Sequence, residues 1–575
     1  MAGRELYVFS GFTLDVSDRR LSRDGRAIAL APKAFDLLVA LIRNAGRLVT
    51  KSELLARVWP DAFVEEGILA VHVSALRKAL GEDGRCRIET VPRAGYRFVG
   101  ELTSQVEPDS GRRRWSVAVL PARPLTSEIL SGRDWPTGLT FADALIDQLG
   151  RLGQVVVRPT RAVQDRAGAA EEPASIGEAL RVDAVVDSAF ARSGGGLQVT
   201  ARLVRSRDGA CLWRGDFDET AGDLLAVASS VAGSVADHLG LGRPPAVRRR
   251  EPHPPEAYEQ FGRGRSHLLS ASMFEVPKAI EAFRAATQLA PTYAAAHAGL
   301  ALAHCAEAEY RVRPWGEAFA DARAAALRAL AMDDACADAQ VALGAVLFRG
   351  DWNWIGAERS FERALRLNPN HTEAYLQYGS LLEAVGRLEE GLEMKLRALE
   401  RDPLSPLVHL QISVAHFHAR RYDDSIEWAS RTLELDPRHP HAREHLAAAY
   451  LKKGDFDRYL QANLEHARVH GAPPELLATL EQACANAGPA GLVRFALDRA
   501  ARQPQAFPAF QLALFQAEAG DLDAAFRHLD GAIESRDPAL VHLAVGPQWD
   551  RLRSDPSRFG PRLARMGFPP PLPAR

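Results

Sequence analysis

Three neighbouring segments near the amino terminus decide the fold of that part of the chain. They read TKSELLARVW (residues 50–59), VHVSALRKAL (71–80) and RCRIETVPRAGYRFV (85–99). Thr50 and Glu53 form a capping box, in which the threonine hydroxyl accepts from the third helical amide and the glutamate reaches back. The second segment carries apolar residues at helical spacing, and the third reads as a basic β-hairpin. We therefore predict two helices followed by a hairpin.

The second of these helices, from about Glu66 to Leu80, has two unlike faces. One stripe is apolar and must face a core, and it consists of Leu69, Val73, Leu76 and Leu80. The opposite face is small and mixed, and it consists of Gly67, Val71, Ser74, Ala75 and Lys78. Small residues let a helix lie deep in a DNA groove, where Ser74 can bond a base edge and Val71 or Ala75 can meet a thymine methyl. The alternative is an ordinary amphipathic helix with a solvated Arg-Lys end.

Two helices followed by a basic hairpin are the arrangement by which a winged helix-turn-helix presents one helix to the major groove and a wing to the adjacent backbone. Basic residues in such a module meet phosphates, which gives affinity and register but does not read sequence. We predict phosphate contacts from Lys51, Arg77, Lys78, Arg93 and Arg97. The predicted DNA-binding set is completed by Val71, His72, Ser74 and Ala75.

A small antiparallel sheet is expected before these helices. Residues 6–9, 12–16 and 21–30 are alternating segments separated by turn residues. Asp24-Gly25 between apolar runs signals a hairpin. Pro32 then opens a helix that runs to about Asn44, with Gly46 just past its end.

Residues 5–102 resemble the OmpR/PhoB-type effector domain, through the sheet, the helix run 71–80 and the wing TVPRAGYRF (90–98). The resemblance implies that the helix from about residue 66 to residue 80 is the recognition helix. It also implies that one loop touches RNA polymerase in activators, and that loop consists of Pro60, Asp61, Ala62, Phe63 and Val64. Ser74 and Ala75 stand where two-component members often carry arginine, so their operator preferences do not transfer.

Size, charge and cysteine usage limit the function classes. A chain of 575 residues exceeds what one core can serve, so three or more domains are expected. The formal net charge of −2 argues against coating nucleic acid or membrane by bulk electrostatics, so any DNA contact is local. Five scattered cysteines without a Cys-x-x-Cys pair argue against a disulfide framework or structural zinc. We expect a cytoplasmic protein that neither crosses nor binds a membrane.

Two segments rich in proline, glycine and like charge are predicted linkers, residues 103–114 and 242–255. They delimit a winged helix-turn-helix domain (1–102), a middle domain (115–241), a repeat array (256–545) and a tail (546–575). The predicted fold class is therefore multidomain, with an α+β winged helix-turn-helix, an α/β middle domain and an all-α solenoid.

The middle domain is predicted from strands around 115–121, 155–157, 183–191, 197–205 and 211–217, with helices at 140–149, near 176–180 and at its end. Its order resembles the TolB N-terminal-like domain, which implies an architecture without a chemistry. Gly194, Gly195 and Gly196 lack the Gly-Lys-Ser/Thr ending of a phosphate loop, so we interpret them as a hairpin turn.

The array is predicted from its period. Pro369, Pro403 and Pro437 follow one another at intervals of 34 residues, the tetratricopeptide (TPR) period. The small–aromatic–small–proline spacing occurs twice, at Ala279, Phe283, Ala286 and Pro291 and at Ala357, Phe361, Ala364 and Pro369. Close-packing pairs on first helices are Leu343-Gly344, Tyr378-Gly379 and Leu446-Ala447. Stacked helix hairpins form a superhelix that binds peptides or partner helices on its concave face, or that serves only structure or self-association.

The array departs from the period in two places. An insertion is expected around Trp315, because the spacing between Pro291 and Asp334 stretches to 43 residues. Beyond Lys453 the pattern blurs, although residues 512–529 still indicate a helix pair.

One short motif matches a sequence pattern known from zinc proteases. His441, Glu444 and His445 match the His-x-x-Glu-His zinc-protease pattern, but they follow Pro437 in register on a TPR helix. We therefore favour solvated or packed histidines over a zinc hydrolase. We predict no enzyme, no metal site and no cofactor.

The sequence thus predicts a DNA-binding transcriptional regulator. Its expected partners are double-stranded DNA, RNA polymerase and a protein or peptide ligand of the array, unless the array senses a signal. A homodimer would pair two half-sites, as is common for this docking mode. The alternative is a cytoplasmic TPR scaffold without DNA-binding activity.

Overall fold

The structure is a computed structural model with two compact units, Met1–Arg113 and Arg114–Arg575, which we describe separately. It describes residues 5–9, 12–15, 20–23, 26–28, 30, 32–42, 45–58, 67–80, 86–92, 94–100, 103–106, 114–125, 134–164, 171–193, 196–219, 223–242, 253–270, 272–439, 441–503 and 507–568.

The described part of the first unit contains two antiparallel sheets. Their strands are β1 (Glu5–Phe9), β2 (Phe12–Asp15), β3 (Arg20–Arg23), β4 (Arg26–Ile28), β5 (Leu48–Thr50), β6 (Cys86–Val91), β7 (Gly95–Gly100) and β8 (Thr103–Val106). One sheet has the order β4-β3-β2-β1-β8 and the other β5-β7-β6. The expected hairpin at Asp24-Gly25 is present as the β3–β4 pair, although the two turn residues lie outside the described part. Residues 103–106, predicted as linker, are instead a strand because they pair in register with β1.

Among the described residues of this unit, three helices pack with these sheets, α1 (Pro32–Ile42), α2 (Lys51–Val58) and α3 (Gly67–Leu80). The stripe predicted on α3 is the buried one. Phe98 from the wing meets Phe9 of β1 edge to face, with ring centroids 5.3 Å apart. One core therefore joins the amino-terminal sheet, the helices and the wing.

Local geometry at the start of α2 follows the predicted capping box. The Thr50 amide donates to Glu53 Oε2 at 2.8 Å, and the Glu53 amide donates to Thr50 Oγ1 at 3.3 Å. Gly95 opens β7 directly beside this turn, and a Cβ there would lie 2.0 Å from the carbonyl oxygen of Val49. Only glycine lets β7 approach β5 so closely, and this contact seats the wing against the start of α2.

The second unit begins with a mixed sheet. Its strands are β9 (Trp115–Val119), β10 (Arg123–Pro124), β11 (Val155–Val157), β12 (Ala184–Ser193), β13 (Gly196–Arg205) and β14 (Cys211–Glu219). The order is β11-β9-β12-β13-β14, with β10 also on β12. The helices are α4 (Asp134–Gly150), α5 (Thr160–Gln164), α6 (Pro173–Ala179) and α7 (Leu224–His238). Ser193 pairs with Gly196, as the predicted glycine hairpin requires.

Eighteen further helices of the described residues follow: α8 (Pro255–Leu269), α9 (Val276–Leu289), α10 (Ala294–Glu309), α11 (Trp315–Met332), α12 (Ala337–Ala345), α13 (Trp354–Leu367), α14 (Thr372–Ala384), α15 (Leu388–Arg401), α16 (Pro406–His418), α17 (Tyr422–Leu435), α18 (Ala442–Lys453), α19 (Phe456–Val469), α20 (Pro474–Ala487), α21 (Pro489–Arg502), α22 (Ala509–Ala519), α23 (Leu522–Glu534), α24 (Asp550–Arg553) and α25 (Pro556–Arg565). A π-helical turn, Val346–Gly350, follows α12.

The repeat positions pack as the TPR period predicts. Phe283 and Phe361 are fully buried, and a Cβ on Gly344 would lie 2.5 Å from the ring of Phe361. The predicted insertion lengthens α11 to 18 residues and places its start at Trp315. The helix pair expected at 512–529 is present as α22 and α23, and α19 to α21 are helices that the blurred pattern did not reveal.

The middle region and the array form one compact unit, whereas the sequence predicted two domains separated by a linker. Thr140 on α4 donates to the carbonyl oxygen of Tyr258 on α8 at 2.8 Å. Asn370 Nδ2, between α13 and α14, donates to the carbonyl oxygen of Val155 at 2.9 Å. The sheet region thus uses repeat helices as part of its own core.

The carboxy-terminal residues also differ from the prediction of a tail. Trp549 and Phe559 are almost completely buried, and Trp354 Nε1 donates to the carbonyl oxygen of Met566 at 3.2 Å. The segment up to residue 568 therefore packs back onto α13 and α23, because its large apolar side chains recur at helical spacing.

Candidate nucleic-acid interface

The exposed face of α3 has the composition that the sequence predicts for a groove-reading helix. Ser74, Ala75 and Lys78 are exposed, and His72 is half-buried. Val71 is 66% exposed, so its apolar side chain protrudes from this face. A small-residue surface with one protruding valine can approach base edges and thymine methyl groups.

Arg77 differs from the other predicted phosphate ligands. Its guanidinium donates from Nε and Nη2 to the carbonyl oxygen of Ile88, at 3.0 and 2.6 Å, and from Nη2 to Thr90 Oγ1 at 2.8 Å. Two guanidinium nitrogens are therefore engaged with β6. The side chain joins α3 to the wing, so that α3 and the wing keep one orientation.

Two other predicted phosphate ligands, Lys78 and Arg97, are less constrained. Lys78 is exposed and Arg97 is half-buried on β7, and neither side chain makes a hydrogen bond or ion pair with another residue in the described part. Both are available to phosphates. Lys51 opens α2 at the edge of the same unit.

Two predicted parts of the interface lie outside the described residues. They are Arg93, which falls between β6 and β7 in the sequence, and the predicted polymerase-contact segment Pro60–Val64. Their predicted contacts with phosphate and with polymerase therefore stay predictions.

The His-x-x-Glu-His motif does not form a compact ligand set. His441 precedes α18 with its Nδ1 3.0 Å from Glu444 Oε2, and both side chains are more than half exposed. For His445, by contrast, burial lowers the pKa to about 4. Across the described ranges, ligand atoms of three such residues come within 4.8 Å of one another only at Glu383, His418 and His542.

That second cluster contains a buried ion pair. Lys395 Nζ lies 2.6 Å from Glu383 Oε1, both side chains are fully buried, and His418 Nδ1 lies 2.9 Å from Glu383 Oε2. Burial alone would raise the pKa of Glu383, but Lys395 and His418 lower it. Because the ammonium already neutralises the carboxylate, we assign the cluster a structural role. Its signal in the sequence is Lys395 itself, which stands 34 residues after Phe361, at the aromatic position of the repeat.

A cavity of about 1370 Å³ lies between the sheet region and the inner face of the array. Asp402 lines it and is 5% exposed, yet its carboxylate has no hydrogen bond or ion pair among the described residues. Burial raises its pKa to about 6, although Arg158 and Arg161 oppose this. Asp436, the equivalent residue of the next repeat, accepts from the Arg438 amide at 3.0 Å. The sequence did not single out Asp402, since both aspartates precede a proline.

No helix of the described part is both long and apolar enough to cross a bilayer. The cysteines whose side chains are described, Cys211, Cys305, Cys336 and Cys484, are all free.

Comparisons with known proteins agree with this geometry. The family "Transcriptional regulatory protein, C terminal" matches residues 25–98, and the family "Tetratricopeptide repeat" matches residues 353–406 and 385–440. The chain is 37% identical over 116 residues to the transcriptional regulator HilA of Salmonella typhi, a match that covers 20% of this chain and 21% of HilA.

A second relative is the phosphate regulon transcriptional regulatory protein PhoB of Pseudomonas aeruginosa, 37% identical over 89 residues, which covers 15% of this chain and 39% of PhoB. The solved DNA-binding domain of Escherichia coli CadC is 29% identical, with a TM-score of 0.17, and the match covers 18% of this chain and 99% of that one. The chain thus spans well under half the length of the two curated relatives, HilA and PhoB. Its amino-terminal unit contains an OmpR/PhoB-type winged-helix DNA-binding domain, and its carboxy-terminal part contains tetratricopeptide repeats.

Proposed function

We propose that this protein is a sequence-specific transcriptional regulator in which α3 reads the major groove and the β6–β7 wing contacts the adjacent backbone. The observation that carries the proposal is the outer face of α3, where Val71 protrudes beside Ser74 and Ala75 with Lys78 at the helix end. A helix that merely faced water would normally present charge at these positions.

The predicted DNA-binding side chains divide into those that contact bases and those that contact phosphates. Ser74, Val71 and Ala75 contact base edges and methyl groups, with His72 at the margin of this surface. Lys51, Lys78, Arg93 and Arg97 contact phosphates, which sets affinity and register. Arg77 is the exception, because its hydrogen bonds to Ile88 and Thr90 make it a residue that orients the wing.

Two variants of the full chain separate these roles. Ser74→Arg should change the sequence preference in a binding-site selection, because the residue faces base edges. Arg97→Ala should weaken binding to all duplexes alike and reduce the slope of log affinity against log salt by about 1. An unchanged selected motif for Ser74→Arg, or an unchanged slope for Arg97→Ala, contradicts the corresponding assignment.

The array supplies the second part of the proposal. We propose that its concave surface, or the cavity beside Asp402, receives a protein partner or a signal, and that the protein acts in the cytoplasm without catalytic activity. We also propose that the sheet region is a TolB-like domain and that Pro60–Val64 contacts RNA polymerase. Both of these proposals rest only on the family resemblance.

A scaffold without DNA-binding activity is the competing function. A gel shift of the full chain on random duplex at low ionic strength separates the two. Binding that salt abolishes supports the regulator, whereas no binding by correctly folded protein leaves only the scaffold.

A further inference from the structure

The outer edge of the mixed sheet is formed by β14 (Cys211–Glu219), nine residues long. In the part of the chain that the structure describes, β14 pairs with β13 alone. A strand edge of this length offers a row of backbone donors and acceptors to another strand, and proteins usually block such edges. This edge therefore needs an explanation.

The hydrogen-bonding direction of β13 decides which residues of β14 face outward. The Arg205 amide donates to Ala210 across the β13–β14 turn, and the Ser206 amide donates to Asp183 on the other side. Backbone groups alternate in direction along a strand, so Leu203, Ala201 and Val199 also bond towards β14. Their register partners on β14 are Trp213, Gly215 and Phe217. The backbone groups of Arg214, Asp216 and Asp218 are consequently the ones at the free edge, whereas Leu212 lies at a register irregularity of the β13–β14 pair.

The side chains of β14 divide into two faces about Gly215. Trp213 and Phe217 lie on one face, with ring centroids 6.1 Å apart, and a Cβ on Gly215 would lie 2.6 Å from the Trp213 ring. Arg214 and Asp216 lie on the other face, each 67% exposed, and their charged atoms are a distant 3.9 Å apart. The opposite charges therefore lie one residue on either side of Gly215.

We propose that β14 pairs antiparallel with β14 of a second copy of this chain, about a two-fold axis through Gly215. Arg214 of each copy then lies opposite Asp216 of the other, through edge-facing backbone groups. Trp213 lies beside the partner's Phe217, which is a favourable cross-strand aromatic pair. The two sheets become one continuous sheet with an isologous interface.

Charge selects this register over its neighbours. Moving the axis to Arg214 would put two arginines face to face, and moving it to Asp216 would put two aspartates face to face. Like charges directly opposite each other destabilise antiparallel pairs. Charges on an edge strand usually prevent association. On β14 Asp216 Oδ1 accepts from Thr200 Oγ1 at 2.7 Å within the chain, and both charged side chains stay exposed in positions that are complementary to a copy in this register.

The test measures association of the full chain by sedimentation, in reducing buffer because Cys211 is exposed. Arg214→Asp alone and Asp216→Arg alone each create two like-charge pairs in a homodimer, so each should weaken dimerisation at least about tenfold. An equimolar mixture of the two variants should dimerise again, because every pair in the heterodimer is then opposite in sign. The double variant R214D/D216R should also dimerise.

Arg207→Asp is the matched control, since Arg207 is 71% exposed in the turn before β14 and changes the net charge equally. It should dimerise as the wild type does. A wild type that stays monomeric at all concentrations, or single variants that dimerise unchanged, overturns the proposal. An equimolar mixture of the two single variants that fails to dimerise also overturns the proposal. Because sedimentation needs no DNA, failure here is distinct from failure of DNA binding.

Discussion

Arg77 on α3 donates two hydrogen bonds to the carbonyl oxygen of Ile88 on β6, at 3.0 and 2.6 Å. A single side chain thereby ties the helix proposed to read DNA to the first strand of the wing. The two elements approach DNA at different places, so their relative orientation decides whether both can bind at once.

Arg77→Ala should loosen the wing. Loss of charge-assisted hydrogen bonds to a strand carbonyl costs about 1–2 kcal/mol for a partly exposed pair. Amide hydrogen exchange in β6 and β7 of the full chain should accelerate, and DNA affinity should fall for all sequences. Lys78→Ala is the control, because Lys78 has no partner among the described residues. It should lower affinity without changing exchange; equal exchange in both variants would contradict the role of Arg77.

Gly95→Ala should destabilise the amino-terminal unit by more than about 2 kcal/mol. The added Cβ would lie 2.0 Å from the backbone oxygen of Val49, and backbone cannot move aside cheaply. Gly46→Ala is the comparison, since Gly46 has φ +75° but no atom near its Cβ, so only about 1 kcal/mol is expected. Chemical denaturation, monitored by hydrogen exchange of the β5 and β7 amides, compares the stability losses of the two variants. A smaller loss for Gly95→Ala would be evidence against the close approach.

Lys395→Met should destabilise the array by about 3–5 kcal/mol, because it leaves Glu383 ionised and buried without its ammonium partner. The double variant K395M/E383Q should recover most of this loss, since the glutamine stays neutral and can still accept from His418. Thermal unfolding monitored by helical circular dichroism measures both. If the double variant were as unstable as the single one, the ion pair would not be the cause.

Asp402→Asn should stabilise the array above pH 6 and do so progressively less below it. Burial raises the pKa of Asp402 from 3.8 to about 6 in the folded chain, so stability falls as pH rises through this window. The asparagine has no charge to desolvate, and the gain should reach about 3 kcal/mol at pH 8. Melting temperatures at pH 5 and pH 8 give the difference. Asp436→Asn, at the equivalent position, should not stabilise the array, because the Asp436 carboxylate already accepts from the Arg438 amide. A gain for Asp402→Asn that is the same at both pH values would contradict the burial argument.

Local patterns were sufficient for much of this architecture. The stripe on α3 and the capping box at Thr50 depend on neighbours a few residues apart, and the 34-residue interval between prolines repeats one local pattern along the array. The structure has each of them as predicted. Long-range partners were not readable. Arg77 was predicted to contact phosphate because no local signal places Ile88 and Thr90 beside it.

The sequence by itself determined which elements form and which face of each is apolar, because helical and strand periodicities act within one element. Only the tertiary structure decided that Asn370 binds the edge of a sheet more than 200 residues away and that Lys395 is neutralised by Glu383. It also decided that the last helices close the array. These pairings depend on how separate elements pack against one another, and many arrangements of the elements satisfy the same local pattern. Buried charges and buried backbone polar groups need partners, and this requirement selects one arrangement.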